Sequence, residues 1–166
     1  MTGEIDRLPP LHSGVAAVVM IGFLTLLAGM YAGLAAPFGV LSMFAAVVTM
    51  LRGWRRTAFW SGGLLFLGGI VAGIQNAPTV VVLLVVSGAV VAWDLLDNSV
   101  SLGEQLGREA STGRAEIVHV GGSAVLGLGV SLAGFALYSV AGGGMPLSAL
   151  VFLLLSAVAL TSVLRN

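Results

Sequence analysis

The residues that could do chemistry are concentrated in one polar stretch, residues 93 to 119, which reads WDLLDNSVSLGEQLGREASTGRAEIVH. This stretch holds seven of the fourteen Asp, Glu and Arg residues of the chain, together with one of its two histidines. Carboxylates and an imidazole in such numbers could bind a divalent cation or perform acid-base chemistry. The groups in question are Asp94, Asp97, Glu104, Glu109 and Glu116, with His119 one helical turn beyond Glu116.

A metal or catalytic site is nevertheless the least favoured of three interpretations of this stretch. One stripe on one helix rarely brings several carboxylates to a single point, and Glu104 with Arg108 makes an ordinary i, i+4 ion pair. A solvated or salt-bridged face is favoured first, and a face that docks a partner protein second. The candidate docking contacts are Asp94, Asp97, Glu104, Arg108, Glu109, Arg114, Glu116 and His119.

Other enzyme chemistry finds little support in the sequence. The chain has no cysteine, which excludes disulfides, thiolate nucleophiles and Cys-ligated metals, and its cations are all Arg, which excludes a Schiff-base lysine. His12 and His119 without cysteine make a weak metal signal. No serine has a paired base at a suggestive spacing, and no glycine-rich phosphate loop follows a strand. We therefore expect no enzyme activity, no cofactor and no bound metal.

The polar stretch predicts an amphipathic helix. At about 100° per residue, its polar side chains fall within an arc of roughly 140°, and apolar or small residues fill the rest. Between Asp94 and Glu109 there are four acids and one Arg, so anionic lipid headgroups would repel this face and a protein surface is favoured. Ser101 and Glu104 could form a capping box that starts a fresh helix after a bend at Asn98, so continuity with the preceding span stays open.

The elements that must position these residues lie in a membrane. Hydrophobic residues make up 58% of the 166-residue chain and charged residues 8%, and the mean hydropathy is +1.07. About a quarter of residues are charged in soluble domains, so the chain belongs in a lipid bilayer. The net charge is zero, which gives no basic field for binding nucleic acid.

Six apolar spans follow a polar leader of residues 1–13. Each approaches the roughly 20 residues that a membrane-crossing helix needs, and none has the alternating pattern of a barrel strand. The predicted fold class is an all-α membrane protein, a single six-helix bundle over residues 14–166. Spans four and five are predicted to extend into a cytoplasmic amphipathic hairpin, residues 94–116. The spans are residues 14–36, 35–51, 58–75, 79–93, 115–141 and 147–164.

The placement of the arginines predicts the orientation of the bundle. With the N-terminus inside, an even number of crossings places all seven Arg residues on the cytoplasmic side, as the positive-inside rule expects. Trp54, Trp60 and Trp93 then lie at the inner membrane boundary, and Tyr31 and Tyr138 near the outer one. We expect a multipass protein of the plasma membrane with both termini in the cytoplasm.

Small residues recur at every fourth position within the spans, which allows helix backbones to approach closely. Internal packing of the helices is the favoured interpretation, and an oligomer or partner interface is the alternative. In the polar stretch, a groove of small residues could receive another helix. The candidate packing positions are Gly29, Gly33, Gly69, Gly73, Ser123, Gly127 and Ser131 in the spans, and Gly103 and Gly107 in the polar stretch.

The polar stretch resembles an uncharacterised family of small multipass membrane proteins of halophilic archaea. The shared features are the pair Trp93 and Asp94, the GEQLGR core at 103–108, and the Arg-Ala-Glu of 114–116 with His119 nearby. Asp97 departs from the Glu of the family pattern but keeps the acidic character. The family looks linked to clusters encoding MoxR-type AAA ATPases with von Willebrand or transglutaminase-like membrane partners. The resemblance implies an accessory role in such an assembly and supplies no reaction.

Two functions are carried forward from the sequence, with an intramembrane enzyme using Glu116 and His119 kept only as a third class. The first is a non-enzymatic membrane subunit or scaffold that docks a partner protein through the acidic hairpin. The alternative is a small homo-oligomeric channel or facilitated carrier. Proton coupling is not expected, because the middles of the six spans contain no ionisable residue. Their polar residues are expected to bond to their own helices: Thr25, Ser42, Ser87 and Ser131.

Overall fold

The computed structural model describes residues 7–107 and 113–140. Within these two ranges the chain forms five α-helices and one short 3-10 turn. In chain order they are α1 (Leu11–Tyr31), the 3-10 turn (Gly33–Ala35), α2 (Ala36–Arg52), α3 (Arg55–Ile74), α4 (Thr79–Leu106) and α5 (Gly113–Val140).

All five described helices are long and apolar enough to cross a membrane. Their candidate spans contain 20 to 28 residues, with mean hydropathies between 1.6 and 2.3. The prediction of an all-α multipass membrane protein is therefore confirmed for five spans. The predicted sixth span, residues 147–164, lies outside the described residues, as do residues 1–6 of the leader.

Proline and glycine set the ends of the helices. Pro10 directly precedes α1, because its ring fixes φ at −61° and suits the residue before a helix, so α1 begins three residues earlier than predicted. Ala32 is extended, with φ of −148°, and ends α1 early, which places Gly33 in the 3-10 turn and not in the first span. Gly53 and Gly107 end α2 and α4 with φ of 64° and 76°, a backbone that L side chains rarely adopt.

The fourth span and the first half of the polar stretch form one continuous helix. α4 contains 28 residues, which at 1.5 Å per residue makes it about 42 Å long. The hydrocarbon core is about 30 Å thick, so the last turns of α4 extend beyond it. Ser101 and Glu104 lie within these turns, so they do not start a fresh helix.

α4 is also the central helix of the bundle. It packs against α1, α3 and α5, and 56% of its most apolar 18-residue segment is buried. α5 packs mainly on α4, and 6% of the corresponding segment of α5 is buried. Ile21, Leu65, Leu95 and Leu96 are among the largest fully buried side chains, so the core lies within α1, α3 and α4.

Glycines let α4 approach its neighbours closely. A Cβ at Gly69 of α3 would lie 2.7 Å from Val86, and a Cβ at Gly127 of α5 would lie 2.5 Å from Val91. A Cβ at Gly33 would meet no atom within 4 Å. Of the other candidate packing positions in the spans, Gly29 lies beside Ala36 and Gly73 is buried in α3. Ser123 donates a hydrogen bond to Asp94 of α4, and Ser131 donates one within α5.

The polar side chains inside the spans are bonded in two ways. Thr25 and Ser131 donate to carbonyls of their own helices, as predicted. For Ser42 the prediction was wrong, because its hydroxyl donates a 2.7 Å hydrogen bond to the carbonyl oxygen of Ser61 in α3. The Ser61 hydroxyl in turn donates a 2.9 Å hydrogen bond to the carbonyl oxygen of Ser42. Ser87 Oγ has no hydrogen-bond partner in the described part of the chain.

Candidate functional site: the charged end of the bundle

The Asp, Glu, Arg and His residues of the described ranges gather at one end of the helix bundle. Because successive helices run in opposite directions, this end contains the start of α1, α3 and α5 and the end of α2 and α4. Contacts across it, such as Ser13 with Glu116 and Arg55 with Asp97, confirm that these ends meet. We call this region the charged end. Its described members are Arg7, His12, Arg52, Arg55, Arg56, Asp94, Asp97, Glu104, Arg114, Glu116 and His119.

Arg55, at the start of α3, contacts three polar residues on one face of α4. Its guanidinium lies 3.5 Å from the Asp97 carboxylate, 2.6 Å from Ser101 Oγ and 3.2 Å from the Glu104 carboxylate. These three residues of α4 have i, i+4 and i+7 spacing, so they share one helix face. The side chains of Arg55 and Glu104 are 46% and 53% exposed, so each ion pair contributes about 1 kcal/mol or less to stability.

Helix spacing predicted an ion pair between Glu104 and Arg108 and did not indicate Arg55 as a partner. Arg108 and Glu109 lie outside the described residues, whereas Glu104 contacts Arg55 across 49 positions of sequence. One signal could have found Arg55, because the predicted topology already placed it on the same side of the membrane as the stripe.

Asp94 links α4 to α5. Ser123 Oγ donates a 2.6 Å hydrogen bond to Asp94 Oδ2, and His119 Nε2 lies 2.9 Å from the same oxygen. The second contact is not a hydrogen bond of regular geometry. A nucleophilic triad places the imidazole between the hydroxyl and the carboxylate, whereas here both groups converge on one carboxylate oxygen. This arrangement joins two helices and does not activate Ser123.

Glu116 is a buried carboxylate that caps a distant helix. Its side chain is 1% exposed, and the backbone N–H of Ser13 donates a 2.9 Å hydrogen bond to Oε2. Ser13 is the third residue of α1, whose N-cap residue, Pro10, forms no side-chain cap. An acceptor with negative charge at this position satisfies a backbone donor and suits the positive end of the helix dipole. The sequence pattern predicted Glu116 as a docking contact, but its carboxylate faces the interior.

The leader packs against the end of α4. A Cβ at Gly103 would lie 2.6 Å from the carbonyl oxygen of Leu8 and 3.0 Å from that of Arg7. The small-residue groove of the polar stretch, which we expected to receive another helix, therefore holds the chain's own backbone at Gly103. Gly107 is buried and ends α4. The leader contact could not be predicted, because residues 1–13 show no packing pattern in the sequence.

The remaining candidate contacts lie apart from these clusters. Arg114 is exposed in the first turn of α5. Within residues 7–107 and 113–140, no three His, Asp or Glu side chains are arranged to hold a metal ion. The geometry of the charged end is therefore that of a set of helix-to-helix links with exposed ionic groups at its margin.

Comparison with known families gives the chain its relatives. The model of a family of unknown function, DUF7519, matches residues 7–161. The chain belongs to the DUF7519 family. The DUF7519 match begins at Arg7, so it includes the leader residues that lie on Gly103. None of the curated proteins and none of the solved structures compared with the chain matches it.

Proposed function

We propose that this DUF7519 protein is a non-enzymatic integral membrane subunit that docks a partner protein through its charged end. The observation that carries the proposal is the fixed arrangement of this end. Side chains of α3, α4 and α5 and the backbone of α1 are linked there, while Glu104 stays 53% exposed. A surface that is already ordered loses less conformational entropy on binding than a free hairpin would.

The docking surface is narrower than the predicted set. Glu104 and Arg114 are exposed, and His119 and Asp94 are partly exposed, with side-chain exposures of 37% and 43%. Glu116 supports this surface from inside. Arg108 and Glu109 lie outside the described residues, and we include them in the docking surface on the sequence pattern alone.

The partner, the sixth span and the orientation are further parts of the proposal. The resemblance to membrane proteins of halophilic archaea supports a MoxR-type AAA ATPase system as the partner. The apolar sequence of residues 147–164 supports a sixth span, which completes the bundle and places both termini on one side. The arginine distribution supports a plasma-membrane protein whose charged end faces the cytoplasm. The channel alternative draws no support from the described interior, where Ser42 and Ser61 bond to each other.

A pull-down from native membranes tests the docking role. Glu104→Gln removes an exposed charge with little change of shape, and Arg114→Gln removes an exposed charge together with the end of the side chain. Tyr31→Phe changes an exposed residue at the opposite end. We expect both charge variants to recover less partner than wild type, and Tyr31→Phe to recover as much. Equal recovery of the same partner by all four proteins would contradict docking through the charged end.

The orientation has its own test, because the chain contains no cysteine. Gln105→Cys places a unique thiol at the charged end, and Asn76→Cys places one in an exposed turn at the opposite end. A membrane-impermeant maleimide should label only Asn76→Cys in intact cells and both variants in opened membranes. Labelling of Gln105→Cys in intact cells would reverse the proposed orientation.

A further inference from the structure

A second feature of the charged end lies on the outward face of α3. Arg55, Arg56, Phe59 and Trp60 line an open cavity of about 490 Å³. These positions have i, i+1, i+4 and i+5 spacing, so they occupy one side of the first two turns of α3. The opposite side of the same turns is buried, at Ala58, Ser61 and Gly62. The cavity therefore opens away from the bundle.

The cavity carries a cation that makes no ion pair with the described residues. Arg55 is engaged by the carboxylates of Asp97 and Glu104, but Arg56 is exposed and makes no ion pair within the described residues. Both arginines lie in the first turn of α3, which contains no acidic residue. Cations are unfavourable at the positive end of a helix dipole, so an anion beside Arg56 would be stabilised by the side chain and the dipole together.

The aromatic half of the cavity lies against an apolar track. Phe59 and Trp60 are 59% and 60% exposed, and Phe59 is held edge to face by Trp60, with the ring centroids 6.0 Å apart. Further along the face of Arg56 and Trp60 comes Leu67, which is 46% exposed. Trp side chains favour the level of the lipid headgroups, and exposed apolar residues below them contact acyl chains.

We propose that this cavity binds the phosphate headgroup of an anionic phospholipid, with one acyl chain lying along the outward face of α3. Arg56 binds the phosphate oxygens, for which the guanidinium fork has matching geometry. Trp60 packs against the glycerol region, and Leu67 against the acyl chain. The continuous apolar track favours a lipid over free phosphate, which would use the cationic half alone.

Lipid titration of the purified full-length chain in a neutral detergent, followed by native mass spectrometry, tests the proposal. The probes are phosphatidylglycerol, phosphatidylcholine and inorganic phosphate. We expect phosphatidylglycerol to bind wild type more tightly than phosphatidylcholine does, and Arg56→Gln to weaken that binding roughly fivefold, as expected for one arginine near an anionic headgroup. Arg114→Gln is the matched control, because it removes an exposed arginine elsewhere at the charged end.

Two further variants keep the test independent of folding in Arg56→Gln. Arg56→Lys keeps the charge but loses the planar fork, so it should bind phosphatidylglycerol more weakly than wild type and more tightly than Arg56→Gln. Trp60→Leu keeps the apolar character of the side chain and should weaken the binding of both phosphatidylglycerol and phosphatidylcholine.

Three results would overturn the lipid site. The first is equal phosphatidylglycerol binding by wild type and the Arg56 variants. The second is an equal loss in Arg114→Gln, which would indicate nonspecific charge attraction. The third is full displacement of phosphatidylglycerol by inorganic phosphate, which would identify free phosphate as the ligand.

Discussion

The buried carboxylate of Glu116 offers the sharpest test of the structure, because it links the first turn of α5 to the first turn of α1. Glu116→Ala removes both the acceptor and the charge at the Ser13 N–H and leaves a void in a site that is 1% exposed. Glu116→Gln keeps an oxygen that can accept the same hydrogen bond and replaces the charged carboxylate by a neutral amide of similar size. The two variants therefore separate the hydrogen bond from the helix-dipole interaction.

The expected magnitudes follow from these two parts. A hydrogen bond to a charged group contributes about 1.5–3 kcal/mol, and the void adds to its loss, so Glu116→Ala should lower the free energy of unfolding by about 2–4 kcal/mol. A charge at a helix end contributes about 0.3–2 kcal/mol, the upper part of the range applying to buried geometry, so Glu116→Gln should cost about 1 kcal/mol.

Unfolding of the full-length chain in mixed micelles, followed by circular dichroism, measures both values. Hydrogen exchange of residues 11–17 adds a local measurement, because loss of the cap should accelerate exchange at the start of α1 in particular. Ser13→Ala is the matched control: the hydroxyl is buried without a partner in the described part of the chain, and the backbone N–H remains. We expect it to change stability by less than about 0.5 kcal/mol.

The reasoning is refuted if Glu116→Ala and Ser13→Ala have the same stability and the same exchange at residues 11–17. A loss in Glu116→Gln as large as that in Glu116→Ala would instead assign the whole effect to charge.

Two further predictions concern the same end of the bundle. Gly103→Ala places a Cβ 2.6 Å from the Leu8 carbonyl oxygen, so the leader must move; we expect a loss of about 1–3 kcal/mol in the same unfolding assay and faster proteolysis within the leader. Ala at the open position Gly33 is its control, since it meets no atom within 4 Å. Arg55→Gln breaks contacts to Asp97 and Glu104 that are partly exposed, so it should cost about 1 kcal/mol, and added salt should reduce the difference from wild type. A loss in Arg55→Gln that salt leaves unchanged would contradict an ionic role.

The helices could be predicted from the sequence because each described span is an unbroken apolar run between breaking residues. Pro10, Gly53 and Pro78 mark ends that the structure places within a few residues of the predicted ones. The gathering of charges at one end was also predictable, since it follows from the number of crossings and the positions of the arginines. Both predictions depend on local composition, which a single sequence records.

The partners of the polar residues were not predictable in the same way. Glu104 was paired by helix spacing, but its contact is Arg55, on a different helix. Likewise, Glu116 reaches Ser13 across 103 positions, and that contact exists only after α1 and α5 pack on α4. Spacing rules describe one helix at a time, so they miss contacts that tertiary packing creates.

The cap supplied by Glu116 also has a consequence for biosynthesis. α1 is made long before α5, so the backbone donor at Ser13 lacks this acceptor until 103 further residues have been synthesised. The earliest of the described helices is thus completed by the latest of them, and a nascent chain arrested before α5 would carry a frayed first turn.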